Sequence, residues 1–228
     1  MKVGIELAAG YIMENKQAVL DFQEEQRNTL KDCVEKAISD ENTIENLVFE
    51  NEELSEFDMS SIDFEKVQFI KCTFHKCNFS RSRFYYVDFI NCNISLSDFS
   101  KTFWKKSNIT ESNAVGGKFL ESSIKETKMT DSMFDYGNFS NSIVTDCVLD
   151  NCKFIESSFA ESKIKKIKLK KITFSGTDFF KTPLRGIDLS DCLIDGIKIS
   201  ADLFELKGAK ISSDQAVELV RVFDIEIV

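Results

Sequence analysis

A chain of 228 residues, 43% of them apolar, is long enough for one substantial domain with a buried core. It contains no run of about 18 uncharged apolar residues, so no transmembrane helix is expected. The formal charge of −9 is uneven: residues 1–61 hold 15 acidic and 5 basic side chains, residues 62–201 hold 17 and 21, and residues 202–228 hold 6 and 3. Net acidity thus belongs to the ends and excludes nothing about the middle.

The N-terminus, MKVGIELAAGYIMENKQ, has an early glutamate and no long apolar stretch, and does not read as a secretory signal. An odd count of seven cysteines then argues for reduced thiols in a cytoplasm. Residues 14–39 contain no Gly or Pro. Their apolar residues recur at Val19, Leu20, Phe22, Leu30, Cys33, Val34, Ala37 and Ile38, which predicts a helix with an acidic outer face. Its expected role is a cap on the domain C-terminal to it; a docking or dimerising helix is the alternative.

From Phe64 to Phe204 a large apolar residue recurs every fifth position without a slip. Of these 29 centres, 15 are Phe and only Ala114 is not large, and the series extends back through Met59, Leu54 and Phe49. Two residues before each centre stands a mostly small residue, such as Cys72, Cys77, Ser82, Cys92, Ser97, Thr102, Ser107 and Gly117. A period of five fits neither a helix nor a strand. It fits a coil with one large and one small inward side chain per repeat and a turn between repeats. VDFIN (87–91), SDFSK (97–101), TDFFK (177–181), IDLSD (187–191) and CNFSR (77–81) resemble the motif of the pentapeptide-repeat family.

The resemblance implies an all-β fold, a right-handed quadrilateral β-helix with four pentapeptides per coil. Residues 20 apart should then stack, as Cys72, Cys92, Cys152 and Cys192 would. About seven coils at the ordinary interstrand spacing make a rod roughly 35 Å long. Such a solenoid needs a cap at each end. The expected organisation is an N-terminal helical cap (1–46), the β-helix (47–206) and a C-terminal module (207–228).

After the repeat, Ser212 and Gln215 form a capping-box pattern that starts a helix over 212–223. DIEIV (224–228) alternates like a short strand. Gly208, Gln215, Ala216, Leu219, Ile225 and Ile227 resemble the helix-and-strand ending of the quinolone-resistance subgroup (Qnr- and MfpA-like proteins), with Asp224 where that subgroup has Gly. The resemblance implies a homodimer joined at the C-termini, with Gln215, Ala216, Leu219, Val220, Phe223, Ile225 and Ile227 as candidate interface. It also implies action on DNA gyrase or topoisomerase IV by mimicry of DNA. The loops that gram-negative members insert are absent; MfpA-like members lack them too.

Cys72, His75 and Cys77 are spaced like metal ligands, but the register turns both sulfurs inward and the imidazole outward, so they cannot converge tetrahedrally. No catalytic, cofactor or metal site is expected, and the protein reads as a non-enzyme. Residues 107–161 are the rod's acidic stretch, with Glu111, Glu121, Glu126, Asp131, Asp135, Asp146 and Asp150 as candidate phosphate substitutes. Lysines 20 residues away, Lys101, Lys106, Lys166 and Lys181, predict compensating ladders. The run KIKKIKLKK (163–171) reads as a solvated face, and the acidic ends disfavour direct nucleic-acid binding. A general protein-interaction scaffold is the alternative function.

Overall fold

A chain that must bury one large and one small side chain in every five, while wetting the other three, has to turn a corner in each repeat. The computed structural model, which describes residues 29–39 and 43–221, shows how it does so. Every fifth residue from Asn46 through Gly186 has φ between +50° and +80°. Most of these corners are Lys, Glu, Asp or Asn rather than Gly. Left-handed backbone costs an L-residue about 1–2 kcal/mol. The offset comes from the ladder, because corner N–H groups donate to the next turn, as Lys71 N does to Ile90 O at 2.9 Å.

Each turn pairs in parallel with the residue 20 further on. The first side is a seven-stranded ladder from Thr43–Glu45 to Lys163–Lys165, and the second a seven-stranded ladder from Val48–Glu50 to Lys168–Lys170. The third side has short pairs, Glu53–Ser55 with Thr73–His75 and Ile172–Thr173 with Cys192–Leu193, joined by single bridges. The fourth has single bridges alone, from Asp58–Asn78 to Asp178–Lys198. The result is a parallel β-solenoid of about eight turns, one more than the Phe64-based count, because Ile44 pairs with Phe64 and starts the stack earlier.

Inside, the centres form four columns. The fourth side carries the longest aromatic stack: Phe79, Phe99, Phe119, Phe139, Phe159 and Phe179, with neighbouring centroids 4.6–5.7 Å apart and rings within 13° of parallel. Such offset stacks add to area burial. On the first side Phe64, Phe84 and Trp104 stack at 5.3 and 4.1 Å. Trp104 and Ala114 lie on opposite sides of one turn and are both buried. The largest centre thus faces the smallest, which accounts for the one exception in the series.

The small inward position does more than fit. Ser82 Oγ donates to Met59 O at 2.9 Å and accepts from Ile62 N at 3.1 Å; Ser97 Oγ repeats this with Phe74 O at 2.6 Å and Cys77 N at 3.0 Å. Cysteines make the same bond to the carbonyl 23 residues back: Cys72 to Phe49 O at 3.4 Å, Cys77 to Leu54 O at 3.4 Å, Cys92 to Phe69 O at 3.2 Å. Sulfur therefore stands in for a serine hydroxyl, and His75 lies outside, 3.3 Å from Ser95 Oγ. All seven cysteines are free thiols. Burial pushes Cys147 and Cys152 up to about 11 and Cys192 to about 12.

At the N-terminal end α1, Leu30–Ser39, buries Leu30, Val34 and Ala37 over the first turn, while Ile38 is exposed. Thr29 caps it: its hydroxyl donates to Asp32 Oδ2 at 2.7 Å and accepts from Asp32 N at 3.2 Å. Val19, Leu20 and Phe22 lie outside the described residues. Among the described residues, no helix is long and apolar enough to cross a membrane.

The C-terminal end corrects the register. Phe204, the last member of the five-residue series, is 44% exposed in a 3-10 turn, Phe204–Leu206. The inward place goes to Glu205, whose side chain is fully buried. It accepts from Lys181 N at 2.7 Å, Ser200 N at 3.0 Å and Ser200 Oγ at 2.7 Å, and its carbonyl accepts from Leu184 N at 2.8 Å. Burial raises the Glu205 carboxyl, but these bonds together outweigh it and hold the group below its ordinary value. The helix α2, Ser213–Arg221, starts with the expected capping box, Gln215 N to Ser212 Oγ at 3.3 Å and Ser212 N to Gln215 Oε1 at 2.8 Å. Gln215 Nε2 then donates to Leu189 O at 2.8 Å and Cys192 O at 2.6 Å, closing carbonyls of the last turn.

Candidate functional site

Outward positions on each side are the residues before and after a centre, and each corner adds a third. Seven acidic residues proposed from sequence distribute over these positions unequally. Glu126 and Asp146 stand one turn apart on the corner between the first and second sides. Glu111 and Asp131 stand likewise on the corner between the second and third, and Asp150 lies on the second side between the two columns. These five frame one side of the rod. Glu121 sits on the corner before the first side and Asp135 on the third side, away from them.

The five differ in how firmly they are held. Asp150 pairs with Lys170 at 3.2 Å, Asp146 with Lys166 at 3.9 Å and Glu126 with its neighbour Lys125 at 3.9 Å. Asp131 accepts from Asn151 Nδ2 at 2.6 Å. Exposed pairs of this kind contribute about 0–1 kcal/mol, so a cationic partner can displace them. The expected ladders form in part. Lys101–Glu121 at 3.7 Å and Lys181–Glu161 at 3.1 Å pair across turns. Lys106 instead reaches back to Tyr86 Oη at 3.1 Å, not to Glu126.

Of the proposed dimer residues, Gln215 is spent inside its own rod, while Ala216, Leu219 and Val220 are half-buried and Leu219 packs on the core. Phe223, Ile225 and Ile227 lie outside the described residues. A cavity of about 240 Å³ opens between α2 and the last turn, lined by Ile194, Ile197, Gln215, Glu218 and Leu219. Among the described residues, no group of three His, Cys, Asp or Glu side chains could hold a metal ion.

Linear reading passed over the first side. The position after each centre there reads Tyr85, Lys105, Lys125, Thr145, Lys165, Arg185, and the position before adds Arg83, Phe103 and Lys163. The signal was available at 20-residue steps, but these residues are spread over a hundred positions of sequence.

Four parallel ladders around stacked inward side chains, with a corner every fifth residue, define a β-solenoid whose chemistry is all on its outer surface. Residues 62–100 match the family model for pentapeptide repeats, in eight copies. No curated protein sequence matches it significantly. Similar solved structures include QnrB1, a plasmid-mediated fluoroquinolone resistance protein, at 20% identity and a TM-score of 0.46, over 82% of this chain and 95% of that one. HetL, involved in heterocyst differentiation regulation in the cyanobacterium Nostoc, matches at 12% identity and a TM-score of 0.31, over 80% and 94%. Rfr23 from the cyanobacterium Cyanothece matches at 8% and 0.29, over 78% and 97%.

Proposed function

We propose that the protein is a non-catalytic binding rod whose partner is a surface built to grip duplex DNA, that of DNA gyrase or topoisomerase IV. The observation that carries this is the gathering of Glu111, Glu126, Asp131, Asp146 and Asp150 around one side of a rigid rod. Stacked like charges in adjacent turns repel, and the exposed pairs that offset this hold them only weakly. They gain when a cationic saddle meets them. The partner class comes from the likeness of the C-terminal residues to the quinolone-resistance subgroup, and with it a homodimer joined through α2 and the residues beyond.

Gyrase supercoiling, measured with and without a fluoroquinolone against protein concentration, tests the reading. Inhibition or protection is expected, and Glu126→Lys with Asp146→Lys should abolish it while leaving the circular dichroism unchanged. No effect at about 10 μM protein, well above ordinary complex affinities, would refute it. A chain ending at Lys210 should sediment as a monomer.

A second reading, a scaffold for another protein, is favoured by the third side. There Leu96, Met133 and Tyr136 are 47%, 40% and 65% exposed, and Leu96 leans over the bare Gly116 corner between them. Loss of partner capture in Leu96→Ser/Tyr136→Ser, with gyrase unaffected, would select it.

A further inference from the structure

Between Arg83 and Arg185 the first side of the rod carries six bases and no acid: Arg83, Lys105, Lys125, Lys163, Lys165 and Arg185. No other side has such an imbalance. The third has Lys153 against Asp135 and Asp195 over the same turns, and the fourth has Lys118 and Lys198 against Asp98 and Asp178. Lys105, Lys163, Lys165 and Arg185 have no ion-pair partner among the described residues. Arg83 is held by Asp63, and Lys125 lies 3.9 Å from Glu126 on the adjoining corner.

The basic column starts at an aromatic platform. Tyr85 and Phe103, on adjacent strands, lie outward with centroids 5.3 Å apart. Tyr86 on the next corner is 47% exposed, and Lys106 Nζ sits 5.3 Å from its ring centroid. These rings lie outside the core, Tyr85 and Phe103 half-buried against each other and Tyr86 exposed. Lys105 and Lys125 on adjacent turns, then Lys165 two turns on past Thr145, run from the stacked rings and match a polymer that carries one anion and one aromatic face per unit.

We propose that the first side of the rod binds single-stranded nucleic acid, with phosphates along Lys105, Lys125, Lys165 and Arg185 and a base on the Tyr85–Phe103 platform. Phosphate contacts of this kind track the backbone, and base stacking on aromatics tolerates any sequence. A duplex is disfavoured by shape: its convex surface touches a flat, narrow side along a line, and its bases are not free to stack. The run 163–171 supplies only two of the six bases; the remainder come to it through the 20-residue register.

The full chain is titrated against a fluorescein-labelled oligothymidylate of about 20 nucleotides, a duplex of equal length and polyglutamate, by anisotropy at several salt concentrations. Micromolar binding of the single strand is expected, several-fold tighter than of the duplex or polyglutamate. With about three or four phosphates contacted, log K should fall against log salt with a slope of about −2 to −3. Lys105→Glu with Lys165→Glu should weaken binding more than about ten-fold and flatten that slope. Tyr85→Ala with Phe103→Ala should weaken it about five-fold or more without changing the slope. No binding at about 50 μM protein in low salt overturns the proposal. So does equal affinity for polyglutamate, which would make the side a surface for acidic protein, and so does indifference to the charge pair, with unchanged far-UV circular dichroism required of the variant because Lys105 is half-buried. Glu126→Lys with Asp146→Lys should not weaken the single-strand complex, which separates this test from that of the acidic side.

Discussion

If Trp104 and Ala114 share one cross-section of the rod, their substitutions must be coupled. Trp104 is 1% exposed, stacks on Phe84 at 4.1 Å and donates its indole N–H to Thr102 Oγ1 at 2.9 Å. Trp104→Leu should cost about 2–4 kcal/mol, somewhat under the 3–5 of truncation to alanine. Ala114→Leu adds three carbons where no space is free and should cost about 1–3 kcal/mol by overpacking. In the double variant the added leucine enters the volume the indole left. The combined cost should then fall below the sum by about 1–2 kcal/mol, within the range measured for residues in contact. Far-UV circular dichroism during urea unfolding gives the four stabilities, with equal m-values required before they are compared. Ala114→Leu with Phe174→Leu, three turns apart, is the control and should be additive. Additivity of the Trp104 pair within about 0.5 kcal/mol would show that the two side chains do not share space.

Three further outcomes are expected from the same rod. The Glu205 carboxyl titrates lower in the folded chain than in the unfolded one, so its contribution is present above the unfolded value and is lost as pH falls through the folded one. Urea titrations from pH 7 to about pH 3 should show Glu205→Gln less stable by about 1–3 kcal/mol at neutrality, with the gap to the parent closing in acid; a constant gap would sink this account. Cys77→Ser should change stability by less than about 1 kcal/mol, since serine makes the same bond 23 residues back at equivalent positions; a loss above about 2 kcal/mol would show that sulfur packing, not that bond, matters there. At the exposed Arg81 corner, φ +64°, Arg81→Asn should be stabilising by some tenths of a kcal/mol in thermal unfolding, because Asn accepts left-handed backbone more readily; destabilisation would contradict that reading.

The repeat was legible because burial acts on the same two residues in every five, one large and one small, with no exception large enough to hide it. The inward role of the cysteines and the helix start at Ser212 followed from register and capping chemistry, both local in sequence. Phe204 was misplaced for a related reason. Period alone says nothing of where a solenoid must stop, and the chain stops by burying a hydrogen-bonded carboxylate, Glu205, one residue later. The capping-box bonds of Gln215 are local and legible, whereas its other acceptors, Leu189 O and Cys192 O, lie 26 and 23 residues back and are not.

By itself the sequence determined the period, the inward and outward positions and the identity of the five-residue unit, since these depend only on which residues tolerate water. Tertiary structure decided which of the stacked charges pair: Lys101 meets Glu121, whereas Lys106 turns to Tyr86 Oη. Four corners per turn place residues 20 apart side by side, dividing the acidic band between sides. The same corners collect six scattered bases on one side, and set Ala114 opposite Trp104.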